Sequence, residues 1–415
     1  MKNINLVRDE SFSAYFSGKL VNKFNGNPID GAVVNLGDSN TISDSKGFFE
    51  FIDIPKGELV LRVSAIGFHD KQEEVAVDSF TGEIKEVPLT PYGRITFTSS
   101  RDGRKNIYSI NYDGTGLKNI TESYEGDCWG GVASPDGGKL VFYSNMDEEL
   151  DMWGQKLTNL YVANSDGVDA KRITLSVIPE DYFRITQDSE RVFFVAKSKL
   201  SDKKEIYISS IGRREEWIQL TDNDFTETNL DVSPNGDKVV FGGFEEGFYN
   251  FYTMDIEDRE MKKLFSSPNP LGYVSFSPNG ESILYTKETY DFSTKLVLYD
   301  LKSGEEDEIY RSSSGIKNIT WDKEGEKIAF SSERDDKNDI YTLDIDSEKE
   351  VKLTDESKGY TRILWPPVEK IMIFVIHTNE GNKLSVMDLS KREIKVIEDI
   401  FDDTISWQAE SFDTK

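Results

Sequence analysis

The stretch SSERDDKNDIYTLDIDSEKEVKLT, from Ser331 to Thr354, decides the fold. It contains two short runs of β-branched and aromatic residues, DIYTLD and VKLT, separated by the polar sequence IDSEKE. Such runs, bounded by Asp, Ser and Asn, predict consecutive antiparallel strands joined by tight turns. The same pattern occurs in SSRDGRKNIYSINYDGTGLKNIT, from Ser99 to Thr121, so the stretch belongs to a repeat.

A further run precedes each such pair of strands and sets the period of the repeat. The runs are GRITFTS, GKLVFYS, ERVFFVA, DKVVFGG, ESILYTK, EKIAFSS and EKIMIFV, with second residues at 94, 139, 191, 238, 282, 327 and 370. The six intervals span 276 residues, which gives a mean of 46. This period is typical of propeller blades made of four strands, A to D. The sequence therefore predicts an all-β fold with seven blades.

The two ends of the repeat array complete each other. The first unit begins at its B strand near Gly93, whereas DDTISWQAE, from Asp402, aligns with the A strands of later units. We expect 404–408 to supply the missing A strand of the first unit. Closure of this kind leaves no free sheet edge at the junction. The prediction is a seven-bladed β-propeller closed by a C-terminal strand.

The first ninety residues break this period. Residues 13–90 read as short alternating strands with tight turns, such as FSGKLVN, GAVVNL and ELVLRVSAIGF. This pattern predicts a small β-sandwich. We therefore divide the chain into an N-terminal extension at 1–12, a sandwich at 13–90 and the propeller at 91–415.

Both regions resemble known families. The phrases from Ser99 and from Ser331 look like TolB-type (WD40-like) propeller repeats, and the resemblance covers residues 91–415. The motifs DSKGF at 44–48 and PKG at 55–57 occur in the order of the carboxypeptidase regulatory-like domain, which is a transthyretin-like sandwich. This second resemblance implies a non-catalytic module and an extracytoplasmic location, in the periplasm or at the cell surface.

The composition narrows the classes of partner. With 49 Lys and Arg against 76 Asp and Glu, the formal net charge is −27. Such a chain repels phosphate backbones, so we expect no nucleic-acid partner. No apolar run approaches the roughly 18 residues of a membrane span, so we expect no membrane insertion. The start of the given chain lacks the apolar core of a secretory signal, which leaves a cytoplasmic location open.

Few residues suit covalent or metal chemistry. The single cysteine, Cys128, excludes internal disulfides and cysteine-based zinc sites, and His69 and His377 are the two histidines. No G-x-S-x-G sequence marks a serine nucleophile of the α/β-hydrolase type. We therefore predict no catalytic residues, no metal, no cofactor and no enzymatic activity. A glycan-active enzyme that uses two carboxylates is the alternative, since 76 acids are present.

Polar side chains on the A strands form the first candidate site. Strand side chains alternate between two faces, so the apolar face of each A strand should pack between blades and the other should line a central channel. Arg184 and Asp231 could pair across the channel wall. The candidate partner-binding residues at the channel mouth are Tyr182, Arg184, Asn229, Asp231, Tyr273, Asn318 and Arg362. They favour binding of a peptide terminus, a loop or a sugar, and the simpler alternative is a hydrated structural channel.

Aromatic residues in loops form the second candidate site. We expect the D-to-A and B-to-C loops to lie at the same face as the channel mouth. The candidate partner-binding residues of these loops are Tyr124, Trp129, Trp153, Phe248 and Tyr290. Exposed aromatic residues among carboxylates suit a basic protein partner or sugar stacking, whereas the alternative is that about half of them cap blade cores.

Together these features predict a non-catalytic binding or scaffold protein of the cell envelope that recognises a protein or peptide at the channel mouth. The alternative is a carbohydrate-binding or carboxylate-dependent glycan-active propeller. Two carboxylates about 5 to 9.5 Å apart in a sugar-sized cleft would distinguish this alternative.

Overall fold

The chain is built from β-strands in two compact units. The structure, a computed structural model, describes residues 14–22, 28–65, 68–77, 85–89, 93–147, 149–150, 154, 156–174, 177–198, 203–211, 217–334, 337–355, 359–366, 371–400 and 405–408. The first unit contains the residues up to Gly93 together with 111–116, and the second contains 94–110 and the residues from Leu117 onward. The predicted boundaries after residues 12 and 90 lie outside the described residues and stay predictions.

The first unit is a two-sheet β-sandwich. Its strands are β1 (Ala14–Asn22), β2 (Val33–Leu36), β3 (Ser39–Ile42), β4 (Phe48–Ile54), β5 (Gly57–Ser64), β6 (Lys71–Val77) and β7 (Lys85–Leu89). The two sheets have the orders β4-β1-β7 and β3-β2-β5-β6, and β1 and β7 run parallel. Leu20 and Val87 from one sheet and Val34 and Leu61 from the other are fully buried in a common core.

The turn before β4 explains the DSKGF motif. Asp44 Oδ1 accepts hydrogen bonds from the backbone N–H groups of Lys46 and Phe48, both at 2.9 Å. Gly47 has a φ of 78°, and a Cβ at this position would overlap the carbonyl oxygen of Leu20. The backbone of this turn therefore requires an acceptor side chain at 44 and glycine at 47.

The second unit is a β-propeller, and its first three sheets come from 94–219 and the C-terminal strand. Sheet 1 contains β8 (Arg94–Ser99), β9 (Asn106–Asn111), β10 (Lys118–Asn119) and β35 (Ile405–Gln408). Sheet 2 contains β11 (Cys128–Ala133), β12 (Lys139–Ser144), β13 (Asn159–Asn164) and β14 (Lys171–Arg172). Sheet 3 contains β15 (Val177–Ile185), β16 (Arg191–Ser198), β17 (Lys204–Ser210) and β18 (Trp217–Gln219).

Four further sheets follow in chain order. Sheet 4 contains β19 (Glu227–Val232), β20 (Lys238–Glu245), β21 (Phe248–Asp255) and β22 (Met261–Ser267). Sheet 5 contains β23 (Leu271–Phe276), β24 (Ser282–Glu288), β25 (Thr294–Asp300) and β26 (Glu306–Ser312). Sheet 6 contains β27 (Ile316–Trp321), β28 (Lys327–Arg334), β29 (Lys337–Asp344) and β30 (Lys349–Lys352). Sheet 7 contains β31 (Gly359–Leu364), β32 (Ile371–Thr378), β33 (Gly381–Asp388) and β34 (Glu393–Ile400).

Sheet 1 joins the two ends of the propeller. Its A strand, β35, pairs antiparallel with β8, and Ser406 lies opposite Thr96. The Ser406 hydroxyl also donates to the carbonyl oxygen of Gly131 in sheet 2 at 2.8 Å. The predicted all-β fold, with a C-terminal strand that completes the first repeat, is confirmed.

The hydrophobic core of the propeller lies between neighbouring sheets. Val240 and Phe251 of sheet 4, for example, pack against Val274 and Tyr285 of sheet 5 in one buried cluster. The B strands are buried on both faces, which explains why their sequences are nearly continuous apolar runs rather than alternating ones.

The A strands contain a feature that the repeat pattern does not predict. Strands β11, β15, β19, β23, β27 and β31 each shift register against their B strand. Four residues at these bulges have a left-handed backbone: Gly130 (φ 64°), Asn229 (52°), Asn318 (52°) and Arg362 (50°). Gly and Asn tolerate this conformation, whereas Arg adopts it at a cost of about 1 kcal/mol. Each bulge therefore changes the direction of an inner side chain.

The connections between strands divide into two faces, because successive strands within each sheet are antiparallel. We call the end with the A–B and C–D turns the turn face, and the end with the B–C hairpins and D–A loops the hairpin face. On the turn face, the side-chain oxygens of Ser134, Ser233 and Ser277 each accept the N–H of the first B-strand residue, at 2.9, 2.9 and 3.0 Å. The Ser-Pro-Asp/Asn-Gly phrases therefore form the predicted tight turns.

Candidate functional site

The predicted pairing of Arg184 with Asp231 is present between two A strands, β15 and β19, which we call inner strands because we expect the A strands to line the channel. Arg184 Nε donates to Asp231 Oδ1 at 3.2 Å, and Asp231 Oδ2 accepts the backbone N–H of Phe276 at 2.9 Å. Asp231 thus links sheets 3, 4 and 5. Burial raises the pKa of its carboxyl group, although Arg184 and the Phe276 N–H act in the opposite direction. This pair therefore joins the A strands β15 and β19.

Other inner-strand candidates also take part in contacts between sheets. Asn318 Nδ2 donates to Ser331 Oγ at 2.9 Å, and Asn318 Oδ1 accepts the backbone N–H of Arg362 at 3.2 Å. Burial, and then the charge of Asp231, raises the pKa of Tyr273 to about 12. Arg362 itself is exposed. Tyr182 belongs to β15, but its side chain lies outside the described part of the structure.

The candidates of the channel mouth lie at different depths along the inner strands. Arg184 and Asp231 are each the next-to-last residue of their strands, β15 and β19, which places them near the turn face. Asn229, Asn318 and Arg362 lie at the bulges in the middle of their strands. The expectation that the channel-mouth residues share one face with the B–C and D–A loops is therefore corrected for Arg184 and Asp231.

Tyr124 and Trp129 are half-buried and make contacts within the propeller. The Tyr124 hydroxyl donates to the carbonyl oxygen of Gly167 and accepts the N–H of Ala170 at 3.2 Å. Trp129 stacks on Tyr143 with ring centroids 6.1 Å apart. These contacts correspond to the alternative in which loop aromatic residues cap cores. Trp153 lies outside the described residues.

Phe248 and Tyr290, in contrast, project from the hairpin face. The exposed fractions are 46% for Phe248 and 80% for Tyr290. The same hairpins carry two further aromatic residues that the sequence reading did not select, Phe244 with 54% and Phe292 with 90% exposed. We call these four residues of the β20–β21 and β24–β25 hairpins the aromatic patch. The sequence signal for the two missed residues was their place in tight hairpins, Phe244 three residues before Gly247 and Phe292 directly after Asp291.

The second hairpin of the aromatic patch has a well-defined backbone. Thr289 N–H donates to the carbonyl oxygen of Ser293 at 2.9 Å, and Phe292 N–H donates to that of Thr289 at 3.0 Å. The Asp291 carboxylate accepts the hydroxyl groups of Thr289 and Ser293, and these bonds lower its pKa to about 2. Phe292 has a φ of 62°, a left-handed conformation that a bulky residue rarely adopts. The chain thus holds an exposed phenyl ring where glycine would be favoured.

Carboxylates surround the aromatic patch. The hairpin sequences FEEGFY at 244–249 and ETYDFS at 288–293 contain four acids and no Lys or Arg. Glu245 accepts hydrogen bonds from Lys263 at 3.0 Å and Tyr252 at 2.9 Å. The patch therefore combines apolar rings with negative charge, which suits a partner that presents basic and apolar side chains.

Acidic side chains were the candidates for metal binding and for carboxylate catalysis. Within the described ranges, no group of three or more His, Cys, Asp or Glu side chains could hold a metal ion. Glu205 and Glu227 form a carboxyl pair between sheets 3 and 4, but they are only 5% and 1% exposed. They therefore do not form the accessible pair that the glycan-active alternative requires. No helix in the described part of the chain is long and apolar enough to span a membrane.

Comparison with known proteins connects the chain to two families and several enzymes. Residues 16–90 match the carboxypeptidase regulatory-like domain, and residues 231–410 match the TolB beta propeller domain. A putative Tricorn-like protease C-terminal subunit of Sulfurisphaera tokodaii is 23% identical over 255 residues, which are 59% of this chain and 27% of that protein. The chain thus spans about a quarter of the length of this curated relative.

Two solved structures show the same propeller fold. The oligogalacturonate lyase of Vibrio parahaemolyticus has a TM-score of 0.59 at 12% identity, covering 71% of this chain and 86% of that one. A puromycin-hydrolyzing peptidase of Mycobacterium tuberculosis has a TM-score of 0.58 at 10% identity, covering 75% of this chain and 54% of that one. At these identities the likeness concerns the fold.

These comparisons correct one expectation. The sequence led us to predict no enzymatic activity, because the chain lacks a recognisable nucleophile motif. The proteins that share its sequence pattern or fold include a Tricorn-like protease subunit, a peptidase and a lyase, so the exclusion of enzymatic activity is wrong. The resemblances noted in the sequence are confirmed: the chain combines a carboxypeptidase regulatory-like domain with a TolB-type β-propeller.

Proposed function

We propose that the propeller recognises a protein or peptide, as partner or as substrate, through the aromatic patch of its hairpin face. The observation that carries this proposal is the exposure of Phe244, Phe248, Tyr290 and Phe292 on the hairpins of two consecutive sheets. Single exposed apolar residues are ordinary, but a group of four large rings is typical of an interaction surface.

Aromatic rings suit this role because they bury a large area and lose little conformational entropy on binding. The loop around Phe292 is fixed by its internal hydrogen bonds before any partner arrives. A surface held in its binding conformation avoids much of the ordering cost of association. The strained backbone of Phe292 supports the same interpretation, since strain of this kind is concentrated at functional sites.

The charge pattern supports a basic ligand. The segments 244–249 and 288–293 contain four carboxylates and no Lys or Arg, and the chain carries a net charge of −27. One of the four, Glu245, is already paired with Lys263. We therefore expect a segment rich in Lys or Arg with neighbouring apolar residues. Its association rate should fall as salt is added, because screening weakens electrostatic steering.

The inner strands and the cellular location complete the proposal. Half-buried Asn229 and exposed Arg362 lie on the A strands, which we expect to line the channel, and an extended peptide could bind there beyond the patch. Asn318 positions the Arg362 backbone through its own hydrogen bond. We also propose an extracytoplasmic location, as the resemblance of residues 16–90 to the carboxypeptidase regulatory-like domain implies. The match of residues 231–410 to the TolB beta propeller domain supports it.

Peptide-array binding and affinity capture with matched variants test the proposal. The test variant is Tyr290→Ser with Phe292→Gly, and the control is Val168→Ser, an exposed apolar residue at a C–D turn of the turn face. We expect basic-aromatic peptides to bind the wild type and the control, and to lose at least tenfold in affinity with the test variant. Equal binding by all three proteins would refute the role of the patch. Binding to a glycan array without peptide binding would instead support the carbohydrate alternative.

A further inference from the structure

Two buried glutamates lie beneath the β20–β21 hairpin. Glu205 is the second residue of β17, and Glu227 is the first residue of β19, directly opposite Gly243. Asn223 Nδ2 donates to Glu227 Oε1 at 2.5 Å. The Oε2 atoms of both glutamates are shielded from water and have no hydrogen-bond partner. Each glutamate is also among the groups that shift the pKa of the other, so the two carboxyl groups interact. Burial of two interacting groups that only accept hydrogen bonds is costly unless a proton is shared between them.

The other sheets show that the repeat does not require this pair. The position equivalent to Glu205 is occupied by Asn106 in sheet 1, Asn159 in sheet 2 and Asp339 in sheet 6. Each accepts a hydrogen bond from the hydroxyl of a Thr that follows strand D, at 3.2, 3.2 and 2.8 Å. The position of Glu227 is occupied by Cys128, Leu271 and Ile316 in sheets 2, 5 and 6. The contact between sheets 3 and 4 instead brings together a carboxyl group from each position.

The charges around the pair do not neutralise it directly. The titratable and charged groups nearby are Asp222, Asp224, Lys203, Tyr207, Tyr252, Glu245 and Lys263. Lys203 interacts with the charge of Glu205, but its ammonium group donates to Asp224 Oδ1 at 3.0 Å and to the carbonyl oxygen of Asn223 at 3.2 Å. Lys263 pairs with Glu245 at 3.0 Å on the exposed side of the hairpin.

Burial favours a protonated pair, although hydrogen bonds from Thr221 and Asn223 act in the opposite direction on the pKa of both carboxyl groups. Burial, followed by the charge of Glu205, raises the pKa of Glu227 to about 7, and burial also raises the pKa of Glu205. A single proton between the two carboxyl groups provides the missing hydrogen bond for both orphan oxygens. Loss of that proton leaves two interacting negative charges in a buried environment.

The pair is mechanically connected to the aromatic patch. Phe225, two residues before Glu227, packs so closely on Gly243 that a Cβ on that glycine would lie 2.5 Å from its ring. The same ring stacks on Tyr252 of β21, with centroids 4.9 Å apart. Phe244 is the next residue after Gly243, so a displacement of the loop at 222–227 reaches the patch.

We propose that Glu205 and Glu227 share one proton, and that loss of this proton loosens the β20–β21 hairpin and weakens ligand binding at the aromatic patch. The effect on binding rests on the proposed function, whereas the shared proton and the loosening do not. The pair thus makes the hairpin face sensitive to pH near neutrality.

The pH dependence of thermal unfolding tests the shared proton without any partner. The folded chain retains a proton that the unfolded chain loses near the ordinary pKa, so the stability from the pair is complete below that pKa and disappears as pH rises through about 7. We expect the unfolding midpoint of the wild type to fall by roughly 5 °C between pH 5 and pH 8 relative to Glu227→Gln. The Gln variant keeps a donor toward Glu205 and should match the wild type at pH 5.

Glu245→Gln is the matched control, since it removes an exposed acid of the same hairpin. This control should keep the wild-type pH dependence. An infrared band of a protonated carboxyl group should be present in the wild type at pH 6.5 and absent in Glu227→Gln. Wild type and Glu227→Gln with the same pH dependence, or absence of the band, would overturn the shared proton. Stabilisation of the wild type at pH 8 by calcium alone, lost in Glu227→Gln, would overturn it in favour of a cation site.

Binding of a basic-aromatic peptide at pH 6 and pH 8 then tests the regulatory step. We expect at least a threefold loss of affinity at pH 8 for the wild type and no such loss for Glu227→Gln. An identical loss in both proteins would refute the regulation. If no peptide binds while the stability result holds, the proposed function fails and the carboxyl pair stands.

Discussion

The two faces of the propeller differ in how far the repeat determines them. On the turn face, the same Ser-Pro-Asp/Asn-Gly phrase and the same serine-to-backbone hydrogen bond recur in sheets 2, 4 and 5. On the hairpin face, neighbouring hairpins differ in sequence and expose large rings. The repeat therefore specifies the scaffold at one end of the strands, whereas the sequence at the other end varies between sheets, as is common for loops that carry function.

Substitution of one glycine on each face, at positions with nearly the same φ, should show the largest difference between the two faces. Gly167 (φ 89°) lies in a C–D turn, where a Cβ would overlap the carbonyl oxygen of Ile120, whereas Gly247 (φ 85°) lies in the β20–β21 hairpin with open space around it. We expect Gly167→Ala to lower the free energy of unfolding by about 3 kcal/mol and Gly247→Ala by only about 1 kcal/mol. Urea denaturation of both variants measures the difference, and equal losses would show that the hairpin face is packed as tightly as the turn face.

The Arg184–Asp231 pair near the turn face tests whether inner polar residues are structural. We expect Arg184→Ala to lower the free energy of unfolding by about 1 kcal/mol at neutral pH, since the exposed Arg side chain is partly screened. The loss should shrink as the pH falls and Asp231, with its raised pKa, becomes protonated. Chemical denaturation at pH 4 and pH 7 measures this. Loss of peptide binding with unchanged stability would instead assign Arg184 to recognition.

Tyr124 tests whether a half-buried loop aromatic residue caps a core or binds a partner. Tyr124→Phe removes the hydrogen bonds to Gly167 and Ala170 but keeps the ring that stacks near Phe142. We expect a loss of about 0.5 to 1.5 kcal/mol in unfolding free energy and unchanged affinity for peptides. A tenfold loss of affinity with an unchanged free energy of unfolding would show that Tyr124 contributes to binding.

Phe292 should show the smallest effect on stability and one of opposite sign. Phe292→Gly relieves a left-handed backbone, so we expect a gain of about 0.5 kcal/mol in unfolding free energy together with weaker peptide binding. Thermal unfolding and peptide titration of the same sample measure both. A destabilised variant would mean that the exposed ring supports the fold.

Much of this architecture follows from the sequence because strands and turns leave local signals. The phrases around Ser134 and Ser233, and the closing strand near Ser406, have composition and spacing that specify their structure. The motif DSKGF likewise specifies a turn in the first unit, where Asp44 accepts backbone N–H groups and Gly47 adopts a positive φ.

The candidate site was less predictable because it depends on where strands lie in three dimensions. A strict period of two missed the bulges at Asn229, Asn318 and Arg362, since one additional residue hardly changes a 46-residue repeat. Among 76 acids, sequence could not show that Glu205 and Glu227 interact in a buried environment. The missing nucleophile motif likewise says nothing about enzymes whose chemistry uses other residues or other parts of a longer protein.

The pairing of β8 with β35 also has a consequence during protein synthesis. Thr96 and its hydrogen-bonded partner Ser406 are 310 residues apart along the chain. At roughly 5 to 20 residues per second, β8 leaves the ribosome about 15 to 60 s before its neighbour exists. For that interval one edge of the first sheet has no strand to pair with, and it is open to wrong partners. Synthesis of β35 thus ends the period in which this edge of the first sheet is unpaired.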